Sequence, residues 1–520
     1  MIALTASSLA ACGGRASPVA RPPRALHVAK DDGARFGRTS TPIDPAFRAM
    51  YDFRSHAPPL NDAIFYAQTA IHRAHASMLA EQHILSPREA SSILSGLARV
   101  DAMAAHDPAL RAYMPYERAL IRSVGPIAGK LNTGRSRNDM GNAERRIYYR
   151  DRVNVLVSEL IAFRTVLVDK AAENLDTVMV AHTHRKQAQP ITLGHYLMAH
   201  AESVGKSIQR YEDLYKRLNL SPLGSAATAG TGFPLNRSRT AELLGFDGLV
   251  TNSIEGVAGW DHVAELAAAN SIYMSSLARL ASEIQNWQTD EFNDVELDDG
   301  FAGTSSIMPQ KKNPDSLEYI KLASAETMGV EVSILASLNA IEYQHSDDRA
   351  PIEPRALEAV LASTRCMAGI IRTLHANKEI MRKAATEGFA TMTELADTMV
   401  RKTGIPFREA HEIVARTVTR AAKDGIKANE ITLARVQSAA HEELGHDIAL
   451  SEADVREALD PMVVVERRAT EGGPAPSSVK AMIETTRDDI AREQLRLRER
   501  TGRIEKARAM LDRAVRSWTE

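Results

Sequence analysis

The chain has 520 residues, of which 44% are hydrophobic and 25% are charged, which is typical of a globular protein and excludes a disordered or collagen-like chain. Its 64 Lys and Arg residues balance 66 Asp and Glu residues, so no positive excess indicates a nucleic-acid partner. Cys12 and Cys366 are the only cysteines, which excludes a disulfide framework or a cysteine-rich zinc site and predicts a reducing, cytoplasmic location.

Residues 1–32 are predicted to be a disordered leader, because the run from Arg15 to Arg24 is rich in arginine and proline. Residues 9–12 (LAAC) resemble a lipoprotein cleavage box, but no Lys or Arg precedes them and the apolar run is short for a signal peptide. A weak lipoprotein signal and a wrongly chosen start codon remain the alternatives. No stretch of the sequence reaches the ~18–20 uninterrupted apolar residues of a membrane helix, so we expect no membrane partner.

Long helices are predicted for most of the remaining chain. The first helical region, residues 33–139, contains a helix at about 70–79, followed by the start signal Leu85-Ser86-Pro87. In the central region, residues 140–385, two segments carry apolar residues at alternating spacings of four and three, which keeps one apolar seam on a helix. These residues are Tyr149, Val153, Leu156, Leu160, Phe163 and Leu167, then Leu266, Tyr273, Leu277, Leu280, Ile284 and Trp287.

The third region, residues 386–520, is predicted to be a C-terminal helical domain with an extra terminal helix. Gly404-Ile405-Pro406 separates two predicted helices, and the Gly/Pro-rich run 472–476 precedes a final helix. From Arg487 onward that helix alternates Arg with Asp or Glu, as solvated helix faces do. Because alternating strand patterns are scarce, we predict an all-α fold of three helical domains around a central bundle of long helices.

Three polar segments interrupt the helical pattern and are candidates for chemistry. Residues 133–139 (TGRSRND) place Ser and Asn beside two arginines at a predicted helix start, which suits a carboxylate or phosphate, although a capped helix start would look the same. Residues 182–190 (HTHRKQAQP) offer an imidazole beside a hydroxyl. Residues 303–315 (GTSSIMPQKKNPD) combine a small, flexible first half with two lysines and an amide, as a mobile active-site loop or a Ser/Gly linker would.

The third segment closely resembles the shared loop of the fumarase/aspartase superfamily. The TGRSRND segment and Thr183-His184 followed by AQPITLGH resemble argininosuccinate lyases more narrowly, as do residues 221–225 (SPLGS), 233–237 (FPLNR) and 406–411 (PFREAH). The resemblance covers about residues 33–490. It implies an all-α homotetramer with a core of about twenty helices, active sites built from three subunits, and no metal or organic cofactor.

The reaction that the resemblance implies is a β-elimination in which an N-substituted aspartate releases fumarate and an amine, for example arginine from argininosuccinate. By resemblance, Ser305 is the base that removes the C3 proton, and Lys311 and Asn313 hold the carboxylate where negative charge develops. His184, paired with Glu318, is the other acid/base candidate. The substrate-binding residues implied by the resemblance are Ser40, Ser136, Arg137, Asn138, Thr183, Asn313, Arg237, Tyr343, Arg349 and Arg111.

The sequence differs from the argininosuccinate lyase pattern at three places, which the resemblance puts near the leaving amine of the substrate. Arg111 stands where the family has an acidic residue, the run from Tyr343 to Arg349 is shorter and lacks the recognition Gln, and Met140 replaces a Gln. An arginine in place of a carboxylate favours a substrate with an extra carboxylate, as handled by the related ethylenediamine-disuccinate lyases. An aminopolycarboxylate is therefore the alternative substrate, and a non-catalytic structural relative is the alternative from another class.

Overall fold

The computed structural model describes residues 58–339 and 341–520, so the leader and Ser40 lie outside the described residues. The first region contains three helices, α1 (Pro58–Glu81), α2 (Pro87–His106) and α3 (Tyr113–Val124), with 3-10 turns at Pro108–Arg111 and Pro126–Asn132. Helix α2 starts where the sequence predicts, because Ser86 and Glu89 form a reciprocal capping box in front of Pro87. The helices enclose a small core of which Leu79, Leu94 and Leu97 are part.

Five long helices form the central bundle: α4 (Arg137–Ala172), α5 (Leu193–Leu218), α8 (Asp261–Trp287), α9 (Asp315–Asn339) and α10 (Pro354–Thr373). Between α5 and α8 lie the short helices α6 (Arg237–Leu243) and α7 (Glu255–Ala258). All twelve predicted seam residues on α4 and α8 are buried in one continuous core. The predicted all-α class is confirmed, since the strands are few and short.

Within residues 58–339 and 341–520 the strands form four two-stranded sheets, three of them antiparallel. The antiparallel pairs are β1 (Val178–Thr183) with β2 (Lys186–Thr192), β5 (Val295–Glu296) with β8 (His375–Ala376), and β6 (Gly303–Thr304) with β7 (Lys312–Asn313). The parallel pair is β3 (Leu220–Ser221) with β4 (Gly248–Leu249). None of these strands was predicted from the sequence, because strands of two to seven residues carry no alternating pattern long enough to recognise.

The two ends of the bundle can be assigned from contacts between helix termini. Near the start of α4, Arg146 lies 3.1 Å from His262 at the start of α8. The rings of Tyr196, at the start of α5, and Trp287, at the end of α8, are 4.8 Å apart. We call the first end the Ser136 end and the second the hairpin end, after Ser136 before α4 and the β1–β2 hairpin that follows it.

Helix α9 is apolar on nearly every side. Leu317, Ile320 and Ile334 are buried in the core of the chain, whereas Tyr319 and Val332 are 70% and 65% exposed. Leu322 and Leu335 are also exposed. A helix that is hydrophobic all round is normally enclosed by other helices, and one chain covers only part of this one.

After α10 the chain forms α11 (Lys378–Glu387), a 3-10 turn at Phe389–Thr391, α12 (Met392–Thr403) and α13 (Phe407–Lys423). A 3-10 turn at Ala428–Glu430 leads to α14 (Leu433–Leu444), α15 (Glu452–Leu459), α16 (Pro461–Arg467) and the last helix, α17 (Pro476–Thr519). Helices α12 to α15 build a separate small core, which includes Leu395, Ile413 and Val436. Helix α12 ends at Gly404, in the left-handed conformation, at the break that the sequence predicts.

The last helix packs on the central bundle and on the first region, and its assignment to the C-terminal domain remains a prediction. Val479, Ile483 and Ile490 belong to the central core, and Val515 and Trp518 pack on the core of the first helices. Only one face of α17 is the solvated, charged face that the sequence indicates. On the buried face, the Glu493 carboxylate accepts a 2.5 Å hydrogen bond from Arg164 on α4.

No helix within residues 58–339 and 341–520 has the length and apolar character needed to cross a bilayer.

Candidate active site

The segment that carries Ser305 forms a small hairpin loop closed by β6 and β7. Gly303 pairs with Asn313 and Thr304 pairs with Lys312, so Ser305 directly follows β6 and Lys311 directly precedes β7. Paired residues of a hairpin share a face and successive residues alternate between faces. Asn313 and Lys312 therefore belong to opposite faces of the hairpin, and Ser305 and Lys311 lie at the two ends of its exposed tip.

Backbone groups are directed at the Ser305 hydroxyl. Its Oγ accepts a hydrogen bond of 3.0 Å from the Met308 amide and one of 3.4 Å from the Ile307 amide. Two N–H donors on one oxygen favour its deprotonated form over its neutral form. The loop beyond Ser305 is exposed from Ser306 to Lys312, so the isolated chain leaves this oxygen accessible from outside.

The base of the loop is fixed on its opposite face. The Lys312 ammonium lies 2.7 Å from the Asp299 carboxylate and 3.1 Å from that of Glu296. A Cβ atom at Gly303 would come within 1.8 Å of the Asp315 carboxylate, so a larger residue there would require the Asp315 side chain to move. A mobile tip on a fixed base is the arrangement expected of a loop that closes over a substrate.

Thr183 and His184 lie at the tip of the β1–β2 hairpin, and both are exposed. His184 and Arg185 form the two-residue turn with φ of 52° and 60°, a left-handed conformation in which Asn and Gly are the usual residues. Two larger side chains in such a turn cost conformational energy. Strain of this kind is found most often at functional sites, where the surrounding structure maintains it.

The TGRSRND segment forms the N-terminus of α4. Ser136 caps the helix by accepting a hydrogen bond from the Asn138 amide, and its own amide donates to Asp139. The buried Asp139 carboxylate also accepts hydrogen bonds of 2.9 Å from the Gly224 and Ala226 amides, which fixes the segment to the loop before α6. Arg137 remains exposed with its guanidinium over Tyr113, so this helix start presents a free cation and amide donors.

Tyr343 lies at the same end of the bundle, and its hydroxyl donates to Glu255 on α7. Arg349, in the same loop, is buried and donates to the Ser346 and Val257 carbonyls. Its guanidinium also lies 2.7 Å from Nδ1 of His345 and packs over Trp260.

Two other predicted substrate arginines are engaged within the chain in the same way. Arg237 donates to the Leu223 and Val250 carbonyls at 2.7 and 2.8 Å. Arg111 donates to the Ala104 carbonyl, forms an ion pair with Asp62 and packs over Phe65. In the described part of the chain, Arg111, Arg237 and Arg349 thus act as braces between backbone segments, and substrate binding by these three is not supported by their contacts.

The predicted partners His184 and Glu318 do not meet within one chain. The Glu318 carboxylate accepts a hydrogen bond from Gln285 at 3.3 Å, and no described residue hydrogen-bonds the His184 ring.

One chain holds two incomplete sets of candidate residues at opposite ends of its bundle. Ser136, Arg137 and Asn138 begin α4, whereas Thr183 and His184 follow its other end. Helix α4 has 36 residues and therefore spans about 54 Å, which is several times the length of a succinyl amine. The Ser305 loop precedes α9 at the hairpin end, as the contacts of Lys312 with the β5 strand show. The two sets cannot act on one substrate molecule within one chain.

Glu144 is a buried acid that sequence reasoning missed, because nothing in its helical position separates it from a solvated residue. It lies on α4 two turns after Ser136 and is 8% exposed, and its Oε1 has no hydrogen-bond partner among the described residues. Burial raises its pKa to about 8, and Arg145 and Arg135 only partly oppose the shift. At neutral pH this carboxyl is therefore mostly protonated.

We expect Glu144→Gln to stabilise the protein relative to wild type as the pH rises. Because the pKa of the folded state lies above the ordinary value of 4.5, the unfolded chain loses this proton first, and stability falls between about pH 4.5 and 8. The glutamine cannot ionise and escapes this loss, which amounts to a few kcal/mol at most. Melting temperatures of both proteins from pH 5 to 8.5 test this, and parallel curves would contradict the burial argument.

The family model described as lyase matches residues 67–329, and the model described as the argininosuccinate lyase C-terminal region matches residues 389–466. Argininosuccinate lyase from Methanococcoides burtonii is 42% identical over 438 residues, which cover 82% of this chain and 88% of that protein.

Solved structures show the same relationship. EDDS lyase in complex with formate is 54% identical, with a TM-score of 0.87, and the match covers 92% of this chain and 96% of that one. Recombinant class II fumarase from Schistosoma mansoni is 18% identical, with a TM-score of 0.66, over 80% of this chain and 93% of that one. The second likeness shows a shared fold alone.

Proposed function

The chain belongs to the argininosuccinate lyase family of carbon–nitrogen lyases, and we propose that it cleaves argininosuccinate to arginine and fumarate. The observation that carries the proposal is the Ser305 hydroxyl, which accepts two amide hydrogen bonds at the start of an exposed loop whose far end carries Lys311 and Asn313.

The reaction determines what these groups must do. The C3 proton beside a carboxylate is weakly acidic, and its removal leaves a carbanion whose charge spreads into that carboxylate. Catalysis needs a base at C3, positive charge and hydrogen-bond donors at the carboxylate, and a proton for the departing nitrogen. Closure of the loop would exclude water, which strengthens each of these electrostatic interactions.

In our proposal Ser305 removes the proton as an alkoxide, which its two amide hydrogen bonds help to stabilise. Lys311 and Asn313 hold the carboxylate that gathers negative charge. Arg137, Ser136 and Asn138 at the start of α4 bind the succinyl part together with Thr183, and Tyr343 lies beside them at the Ser136 end. His184, with Glu318 from another copy of the chain, handles the second proton.

The proposal requires an oligomer, and we propose a homotetramer whose active sites each combine residues of three subunits. Two observations support it: the span of α4 between the two residue sets, and the exposed apolar sides of α9. Copies packed around α9 would bury Tyr319 and Val332 and bring a Ser136 end to a hairpin end. A cytoplasmic location is also proposed, and the use of only two cysteines in the chain supports it.

A second candidate is cleavage of an aminopolycarboxylate such as ethylenediamine-disuccinate. The 54% identity to EDDS lyase favours it, as does the changed loop from Tyr343 to Arg349. The charge argument from Arg111 no longer supports it, because Arg111 is paired with Asp62. An additional carboxylate in the substrate would have to be received by another cation, for example the exposed Arg137, whose charge acts on His345 in this loop.

A substrate panel distinguishes these proposals. Purified protein is given argininosuccinate, ethylenediamine-disuccinate, adenylosuccinate and aspartate in turn, and fumarate release is followed by ultraviolet absorbance. We expect argininosuccinate to give the highest kcat/KM. A preference for ethylenediamine-disuccinate by more than about tenfold, equivalent to ~1.4 kcal/mol in transition-state binding, would establish the second candidate instead. Release of fumarate from none of them would identify a structural relative without this activity.

A further inference from the structure

A cleft of about 340 Å³ lies behind the hairpin that carries His184, between this hairpin, the segment before β5 and helix α11. Its size is within the range of sites for small molecules. The polar residues that line it are His182, Gln187, Glu291, Asp294, Lys383 and Glu387. The apolar ones include Met179, Val180, Phe292, Ile380 and Met381.

The cleft is separate from the site described above. His182 pairs with Gln187, and Thr183 pairs with Lys186, so these two pairs point to opposite faces of the hairpin. His182 and Gln187 both line the cleft, whereas Thr183 does not. The hairpin therefore presents one face to the cleft and the other to the proposed substrate.

The charges in the cleft favour a cation. Glu387 is already paired with Lys427 at 2.9 Å. No described residue forms a hydrogen bond or ion pair with the side chains of Glu291 and Asp294, which leaves two carboxylates against one lysine, Lys383. Asp294 is half-buried, and its burial raises its pKa, an effect that nearby His182 only partly opposes. A ligand that brings positive charge to Asp294 would offset this cost of burial.

The lining of the cleft is also partly apolar and uncovered. Phe292 and Ile380 are 49% and 37% exposed, although the neighbouring Met179, Val180 and Met381 are buried. The Phe292 ring meets His182 edge-on at 6.4 Å. An aromatic ring and aliphatic side chains beside unpaired carboxylates suit an alkyl chain that ends in a cationic group.

We propose that this cleft binds a small organic cation, a primary ammonium or a guanidinium on a short aliphatic chain, with the cationic group on Asp294 and Glu291. The chain of the ligand lies against Phe292 and Ile380. The proposal does not depend on which succinyl amine the enzyme cleaves, because the cleft shares no residue with the proposed substrate site.

A ligand in the cleft would touch two elements that each lead to a candidate catalytic segment. The hairpin forms one wall and carries His184 at its tip. The segment that contains Asp294 continues into β5, where Glu296 holds Lys312 at the base of the Ser305 loop. A ligand that contacts both walls fixes the relative position of the two segments, so turnover is expected to change when the cleft is occupied.

The test uses the full-length protein and calorimetric titration with arginine and with putrescine, and citrulline serves as the uncharged counterpart of arginine. We expect both cations to bind and citrulline to bind at least about tenfold more weakly. Asp294→Asn should weaken cation binding about tenfold or more, while Lys383→Gln, which removes the competing positive charge, should strengthen it. Stronger binding of arginine than putrescine would indicate an amino-acid ligand, and the reverse a diamine.

Arginine could also bind as a product at the proposed active site, and the variants separate the two sites. Unchanged arginine affinity in Asp294→Asn would overturn the cleft proposal, as would equal binding of citrulline or an absence of binding by all three compounds. Asp294→Asn is expected to keep wild-type basal turnover, which also shows that it folds. If that variant fails to fold, Glu291→Gln, at an exposed position, takes its place with the same expected weakening.

Discussion

Ser305→Ala is expected to lower kcat by about 10²- to 10⁴-fold, the usual contribution of a general base, and to leave the fold intact. The side chain is small and partly exposed at the neck of a loop, so alanine creates no cavity. What is lost is the one oxygen that accepts the Met308 and Ile307 amide hydrogen bonds. Steady-state fumarate release, with the melting temperature as a check on folding, measures the effect.

Ser306→Ala is the matched control, because it removes a hydroxyl from the next residue of the same loop. Ser306 is exposed and its side chain makes no hydrogen bond with the described residues. Its variant should turn over substrate at close to the wild-type rate. Near-normal activity of Ser305→Ala with a large loss in Ser306→Ala would assign the base to the second serine, and near-normal activity of both would remove serine from the reaction.

In the proposed tetramer, two inactive variants altered at opposite ends of the bundle should restore activity when they are mixed. Asn138→Ala is expected to disable the start of α4, and Ser305→Ala the loop before α9. Since these two ends of one chain are too far apart to share a substrate, the proposal takes them from different chains at each site. When the two variants mix at random, about a quarter of the sites receive both an unaltered start of α4 and an unaltered Ser305 loop. The measurement is fumarate release after co-expression with two affinity tags and purification of the mixed species.

The control for this experiment is a mixture of Ser305→Ala with Lys311→Ala. Both changes lie in one loop, which a single chain contributes to a site, so no arrangement of subunits yields an intact loop. This mixture should stay inactive. Equal recovery in both mixtures would refute the assignment to opposite ends, and so would the lack of any recovery with Asn138→Ala.

The sequence was sufficient for the long helices and for the loop, and the reasons are physical. The seam residues of α4 and α8, such as Tyr149 and Leu277, recur at the helical period because one face of each helix is buried. The loop was recognisable because its sequence closely resembles the shared loop of the fumarase/aspartase superfamily. The family assignment that rests on these motifs is confirmed by the comparisons.

Other features depend on contacts between distant parts of the chain and leave no local pattern. Arg349 and Arg237 look like substrate ligands in the sequence, but backbone carbonyls of neighbouring loops take up their donors. The burial of Glu144 depends on what packs over α4, and the charged pattern of α17 hides the stripe that meets the bundle. Domain boundaries at residues 139 and 385 and the roles of the site residues remain predictions.

The last helix has a consequence for how the protein is made. Val515 and Trp518 pack on the apolar core of the first helices, to which Leu79 and Leu97 belong, although they lie far from those helices along the chain. The first helices therefore leave the ribosome long before this part of their cover is made, so their apolar surface stays open during synthesis and is a natural target for chaperones. A truncation before Val515 would leave that core incomplete, and it would lower the yield of folded protein rather than change the chemistry of the site.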